Sequence, residues 1–170
     1  AHANSFPGLI QLYCKELIRT LSKENYAGYD ENRTPPYEIT RDHVRAVLTN
    51  PEFLEQVREK FMITLRLGGD NFYYIIAYLI ASLYHKNGGG RGCTPDEIAQ
   101  EAEEYEFEQF RTLPRERLKA FLDELTELNV LRTSGDGYCF NRYPFFQMLG
   151  SREEVEDKLY ALALGEEDLA

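Results

Sequence analysis

The glycine-rich run Asn87-Gly88-Gly89-Gly90-Arg91-Gly92 is where phosphate chemistry would first be sought. A P-loop needs a glycine turn ending in Lys and Ser or Thr, so that backbone amides and an ammonium hold phosphates while the hydroxyl binds magnesium. Neither residue follows, and the run reads as a turn that closes a helix. Carboxylates crowd the stretch from Asp96 to Glu108, where Asp96, Glu97, Glu101, Glu104 and Glu108 partly share a helical face. A calcium loop requires a defined ligand series around a glycine turn. None is present, so a solvated acidic surface is expected and no metal is assigned. His43 and His85 fall on helices without a Ser or Cys that spacing can pair with them, and scattered members do not make a triad. Cys14, Cys93 and Cys139 are odd in number and widely spaced, which reads as reduced thiols in a cytoplasmic compartment rather than disulfides or zinc ligands. No catalytic residue, metal or cofactor is assigned to the chain, which is expected not to be an enzyme by itself.

The composition is that of a folding chain: 170 residues, 43% hydrophobic and 13% aromatic, enough for one ordinary domain or two small ones. The longest apolar stretch, Phe72 to Tyr84, falls short of the ~20 residues that cross a bilayer and reads as a buried helix. Helical spacing of Leu9, Ile10, Tyr13, Cys14, Leu17 and Leu21 predicts a first helix. Residues 22 to 38, with Pro35-Pro36, form the longest irregular stretch. Thr40 is placed to cap a second helix, with Ile39 and Val44 as a hydrophobic staple. Asn50-Pro51 ends that helix and caps a third, which carries Leu54, Val57, Phe61 and Leu65 and stops at Gly68-Gly69. The chain opens on Ala1 with an apolar helix almost at once, so it is expected to be an excerpt from a longer protein.

The second half reads as three helices and a hairpin. Phe72, Ile75, Ile76, Leu79, Ile80 and Leu83 give a wide apolar stripe, which predicts a central helix. Thr94-Pro95-Asp96-Glu97 is a capping box with Pro at the first helical position, opening a short helix with Ile98 and Ala102. After a connection at Glu106 to Thr112, the stripe Leu118, Phe121, Leu122, Leu125 and Leu128 predicts another helix, ending near Asn129. Val130 to Thr133, the tight turn Ser134-Gly135-Asp136-Gly137, and Tyr138 to Phe140 read as strand, turn, strand. Ser151-x-x-Glu154 opens a last helix with Val155, Leu159 and Leu162 before an acidic tail. The expectation is a mainly α chain: a helical segment over 1–69, a winged helix-turn-helix with a small β-hairpin wing over 70–150, and a C-terminal helix and tail over 151–170.

Two blocks carry a family resemblance. Phe6-Pro7-Gly8-Leu9-Ile10-Gln11-Leu12-Tyr13-Cys14-Lys15-Glu16-Leu17 resembles the end of the helical lid in bacterial signal-transduction ATPases of the STAND and AAA-like P-loop class. Phe121-Leu122-Asp123-Glu124-Leu125, Asn129-Val130-Leu131-Arg132, Tyr138, Phe140, Pro144, Leu149-Gly150 and Glu153-Glu154-Val155 resemble the winged helix that follows in such proteins. The arginine such proteins tend to place at the position of Asn141 stands one residue on here, at Arg142. The resemblance implies a nucleotide-binding domain upstream of Ala1, and implies that Pro7 touches nucleotide in the intact protein.

Helix-turn-helix modules commonly set their second helix in the DNA major groove, so charge has to decide the partner. Net charge is −10, and the excess is one-sided: residues 1–69 hold nine acids and nine bases, residues 70–170 twenty and ten. Within 94–129, eleven acids face four bases. A phosphate backbone is repelled by such a surface. The expected role is therefore a regulatory contact with a protein partner or with the upstream nucleotide-binding domain, through the outward residues Glu116, Lys119, Asp123 and Glu127 and the hairpin tip at Asp136. The alternative, a DNA-binding winged helix, would use Arg115, Arg117, Lys119, Arg132 and Arg142.

Overall fold

A computed structural model describes residues 7–22, 39–67, 71–89, 91–141 and 143–165. Among them the chain is mainly helical, with nine helices and one two-stranded antiparallel sheet. It divides into two compact units, Ala1–Phe61 and Met62–Ala170.

The first unit holds α1 (Pro7–Leu21), α2 (Arg41–Leu48) and most of α3 (Pro51–Leu65). Its core is small: Leu17, Val47 and Phe53 are buried, with Leu12, Tyr13, Leu21 and Val57 packed around them. Tyr13 meets Phe53 edge to face at 6.0 Å between ring centroids. A polar corner supports these contacts. Asn50 accepts from the Glu52 amide at 3.0 Å, capping α3, and its side-chain amide donates to the buried Glu16 carboxylate at 2.5 Å. Arg19 reaches Glu52 at 3.0 Å. Thr40 caps α2 as expected, and the reciprocal half of the box is supplied by His43, whose Nδ1 accepts from the Thr40 amide at 3.2 Å. At the expected staple Ile39 is exposed and Val44 half-buried. α3 stops at Leu65, and Gly68-Gly69, expected to end it, lie outside the described residues.

The second unit is organised by α4 (Phe72–Asn87), buried continuously from Tyr74 to Leu83. A helix apolar on every side has to be covered on every side. Here α5 (Pro95–Glu104), α7 (Arg115–Glu127), α8 (Tyr143–Leu149) and α9 (Arg152–Leu164) all pack on it. The capping boxes read in the sequence form: Thr94 with Glu97 opens α5, and Ser151 with Glu154 opens α9. Gly88, at φ +70°, ends α4 in the left-handed conformation that a Cβ disfavours.

Two elements differ from the sequence reading. The expected connection from Glu106 to Thr112 contains a one-turn helix, α6 (Glu108–Arg111), which puts Phe110 beside Phe107 in the core. One turn is too short to show a period. The segment after the hairpin is also helical, as α8, and its Phe146 ring lies 4.2 Å from Tyr84, 4.6 Å from His85 and 6.2 Å from Phe140. Phe145, Phe146 and Leu149 are too few for a stripe, yet they close the gap between α4 and the sheet.

The hairpin pairs β1 (Leu131–Ser134) with β2 (Gly137–Phe140); each strand takes in one residue of the expected turn, and β1 begins one residue later than expected. Gly135, at φ +59°, takes the first central position of the two-residue turn, where glycine is the favoured residue. An isolated bridge adds a third chain segment: Cys93 and Tyr138 exchange backbone hydrogen bonds of 2.7 and 2.9 Å. Beside that bridge, Gly92 and Gly137 press backbone to backbone. A Cβ on Gly137 would sit 2.7 Å from the Gly92 carbonyl carbon and 2.8 Å from Cys93. Gly137→Ala is therefore expected to destabilise the chain by about 1–3 kcal/mol, the range for forcing extra volume into packed structure. Urea unfolding measures it, and an unchanged midpoint would show that the two segments are free to move apart.

Candidate functional site

The face formed by α7 and the hairpin is positioned from the inside. Leu118, Phe121, Leu122 and Leu125 are buried, and they fix the rotation of α7. At about 100° per residue, Glu116, Lys119, Asp123 and Glu127 then fall within about 80° of arc on the opposite side. All four are exposed, as is Asp136 at the hairpin turn. Asp123 has a structural task as well: it accepts a hydrogen bond from the Tyr138 hydroxyl at 2.7 Å, which ties the hairpin to α7. Asn141 supports the same joint, its side-chain amide donating to the Asn129 carbonyl at 3.1 Å and its backbone amide to Val130 at 2.9 Å.

The basic residues do not gather into a matching patch. Arg115 turns toward α5, with Asp96 at 3.2 Å and the Pro95 carbonyl at 3.3 Å. The Arg117 guanidinium lies over the Phe121 ring, 4.6 Å from its centroid, on a side of α7 well away from Lys119. Lys119 and Arg132 are exposed and make no ion pair with a described residue. Arg142 lies outside the described residues, and so does the side chain of Pro7, whose backbone supplies the first helical position of α1. The carboxylate run from Asp96 to Glu108 does not converge on a cation position. Glu97 completes the α5 cap and pairs with Arg91, Asp96 pairs with Arg115, and Glu108 pairs with Arg111. No cluster of metal-ligating side chains occurs among the described residues.

The densest polar arrangement draws two carboxylates from that same run, Glu101 and Glu104, and Glu101 corrects the solvated-surface expectation because it is buried. Glu101, 3% exposed, accepts from the Ser82 hydroxyl at 2.6 Å and from the Lys86 ammonium at 2.7 Å. Lys86 also reaches Glu104 at 2.8 Å, and the Tyr105 hydroxyl lies 3.4 Å from Ser82. Burial works against the Lys86 charge, but the hydrogen bonds to Glu101 and Glu104 outweigh it and raise its pKa to about 12. The signal was present, since Glu101 sits in phase with Ile98, Ala102 and Tyr105 on the inward stripe of α5. Ser, Lys and Tyr in proximity suggest nucleophilic chemistry, but Ser82 is buried and the cluster works as a charge-compensated joint between α4 and α5. Two of the three thiols are equally enclosed, with Cys14 exposed: Cys93 and Cys139 are buried, and burial, with Glu97 nearby, pushes Cys93 up to about 11, so it stays protonated.

Two outcomes follow from these bonds. Lys86→Met leaves the Glu101 carboxylate buried without its cation. The expected cost is about 2–3 kcal/mol in urea unfolding, below the ~3–5 kcal/mol of a wholly buried pair because a third of the Lys86 side chain is exposed. Burial, then the bond to Asp123, raises the Tyr138 pKa from 10.0 to about 12. A phenol whose folded pKa lies above its unfolded value contributes stability that is complete below pH 10 and lost as pH rises toward 12. Tyr138→Phe should therefore flatten part of the fall in melting temperature across that window, and identical alkaline profiles for the two chains would contradict it. Comparison of the chain with family models, curated proteins and solved structures finds no match to any of them, so the role of the α7 face rests on its geometry and charge.

Proposed function

We propose that residues 70–150 form a winged helix-turn-helix whose α7 and hairpin face docks a basic protein surface, as a regulatory module of a larger P-loop ATPase. The order of elements supports the fold reading: α4, a one-residue strand at Cys93, α5, a turn with α6, α7, and the two-stranded hairpin. The ATPase context rests on the resemblance of the 6–17 and 121–155 blocks. The role rests on one observation, the acidic stripe of Glu116, Asp123 and Glu127 on the helix that a DNA-binding module would turn toward phosphate. Two of the arginines beside it are already engaged, Arg115 by Asp96 and Arg117 by Phe121. Neutralising several phosphates with Lys119, Arg132 and Arg142 would leave the interleaved carboxylates repelling the same backbone.

The test is a titration of the full chain, followed by amide chemical shifts, with an Arg-rich peptide and separately with duplex DNA at low salt. The peptide should move resonances of α7 and the hairpin turn, and the double variant Glu116→Lys/Glu127→Lys should weaken it by about tenfold, ~1.4 kcal/mol. Shifts spread evenly over every acidic surface would defeat the proposal. Saturable, salt-dependent DNA binding that moves Lys119 and Arg132 would put the DNA-binding reading in its place.

A further inference from the structure

The cations of the second unit are almost all held within the molecule. Among its described residues every Lys and Arg but two meets a carboxylate or lies over an aromatic ring. The two are Lys119, within the outward row of α7, and Arg132, on the β1 strand that packs against that helix. Lys119 has carboxylates in reach on its own helix. Glu116 stands three residues before it and Asp123 four after, the spacings at which side chains on one helix meet. Elsewhere on this unit those spacings are closed, by Arg111 with Glu108 and by Arg152 with Glu156. Around Lys119 neither is, and Asp123 accepts the Tyr138 hydroxyl instead. An ammonium set among carboxylates and bonded to none of them is left for a group from outside.

Glu116, Lys119, Asp123 and Glu127 are exposed and form a single row, about 4.5, 6 and 6 Å apart along the axis at 1.5 Å per residue. Its charges run minus, plus, minus, minus. A partner that was basic throughout would set a cation against Lys119, and like charges placed opposite each other suppress a partner. The matching surface is cationic at three points and carries a carboxylate at the fourth. A helix presents such a row at the same rise, whereas alternate residues of a strand, about 6.8 Å apart, would outrun it by about 4 Å over three steps. We infer that the α7 face selects a helix whose basic row is interrupted by one acidic residue, and that Lys119 sets the register by pairing with that residue. This rests on the α7 face being a protein-docking surface, and adds which basic partners it refuses. Displaced by one turn, such a helix would bring its carboxylate against Glu116 or Asp123 and a cation against Lys119, so a wrong register is penalised twice.

The test is fluorescence anisotropy of the full chain, at low salt, with labelled helical peptides on an alanine background. One carries Arg, Glu, Arg and Arg at spacings of three, four and four residues, and its counterpart has Arg in place of the Glu. Each is also made in reversed order, for an antiparallel approach. In one of the two orders the chain should bind the Glu-bearing peptide about fivefold tighter than its all-Arg counterpart, the size of one exposed ion pair, although its net charge is the less favourable. Lys119→Glu should reverse that preference with helicity by circular dichroism unchanged, and Lys119→Gln should remove it. Equal binding by the wild-type chain in both orders, tighter binding of the all-Arg peptides, or a preference that survives Lys119→Glu overturns the inference and leaves the docking surface standing. Failure of every peptide to bind overturns the docking surface as well.

Discussion

The second unit depends on the burial of α4. A helix of sixteen residues is about 24 Å long, and from Tyr74 to Leu83 none of its sides tolerates water. Each neighbour then has one obligation, to bring a complementary apolar stripe, and is free on its outer side. That is why α5, α7 and α9 are strongly charged outside and still well placed. A side chain such as Ile76 or Leu79, wholly buried, contributes roughly 1.5–3 kcal/mol by leaving water. Its truncation would also leave a void at the place where α5, α7, α8 and α9 all pack. Asp123 apart, which the Tyr138 hydroxyl also holds, the outward residues of α7 owe their position to this arrangement.

The buried carboxylate of Glu101 adds something that apolar packing does not. Besides Glu101, α5 buries only Ile98, Ala99 and Ala102, small or slender side chains that would tolerate sliding along a smooth partner. A one-turn displacement would carry Glu101 away from Ser82 and Lys86 and strand a charge in the interior. Such a joint adds little to stability compared with a well-packed apolar substitute, but it penalises every wrong alignment heavily.

Much of this architecture could be read from residue spacing, where the spacing is long enough to carry a signal. The capping boxes at Thr94 and Ser151 are local chemistry and formed as written. The α4 stripe and the inward face of α7 repeat over three or more turns and were equally plain. What escaped was short or non-local. α6 is a single turn made worthwhile by Phe107 and Phe110, and α8 is fixed by Phe146 meeting Tyr84 and His85 from far along the chain. Among the candidate contact residues, exposure followed from helical phase. The tie between Asp123 and Tyr138 did not, because it joins a helix to a strand across a turn. Glu101 was legible in principle, yet a run of carboxylates reads as surface until one of them is seen to fall in step with Ile98 and Ala102.

The meeting of Gly92 with Gly137 has a consequence for how this part of the molecule can diversify. At that crossing neither strand can carry a side chain, so the root of the hairpin is frozen in composition. Two residues further out, Gly135 and Asp136 face open solvent, and a Cβ on Gly135 would meet no atom within 4 Å. Insertions and changes of length are therefore confined to the tip, where they can alter reach and chemistry without disturbing the helices beneath. The hairpin behaves as an interchangeable finger on a fixed knuckle.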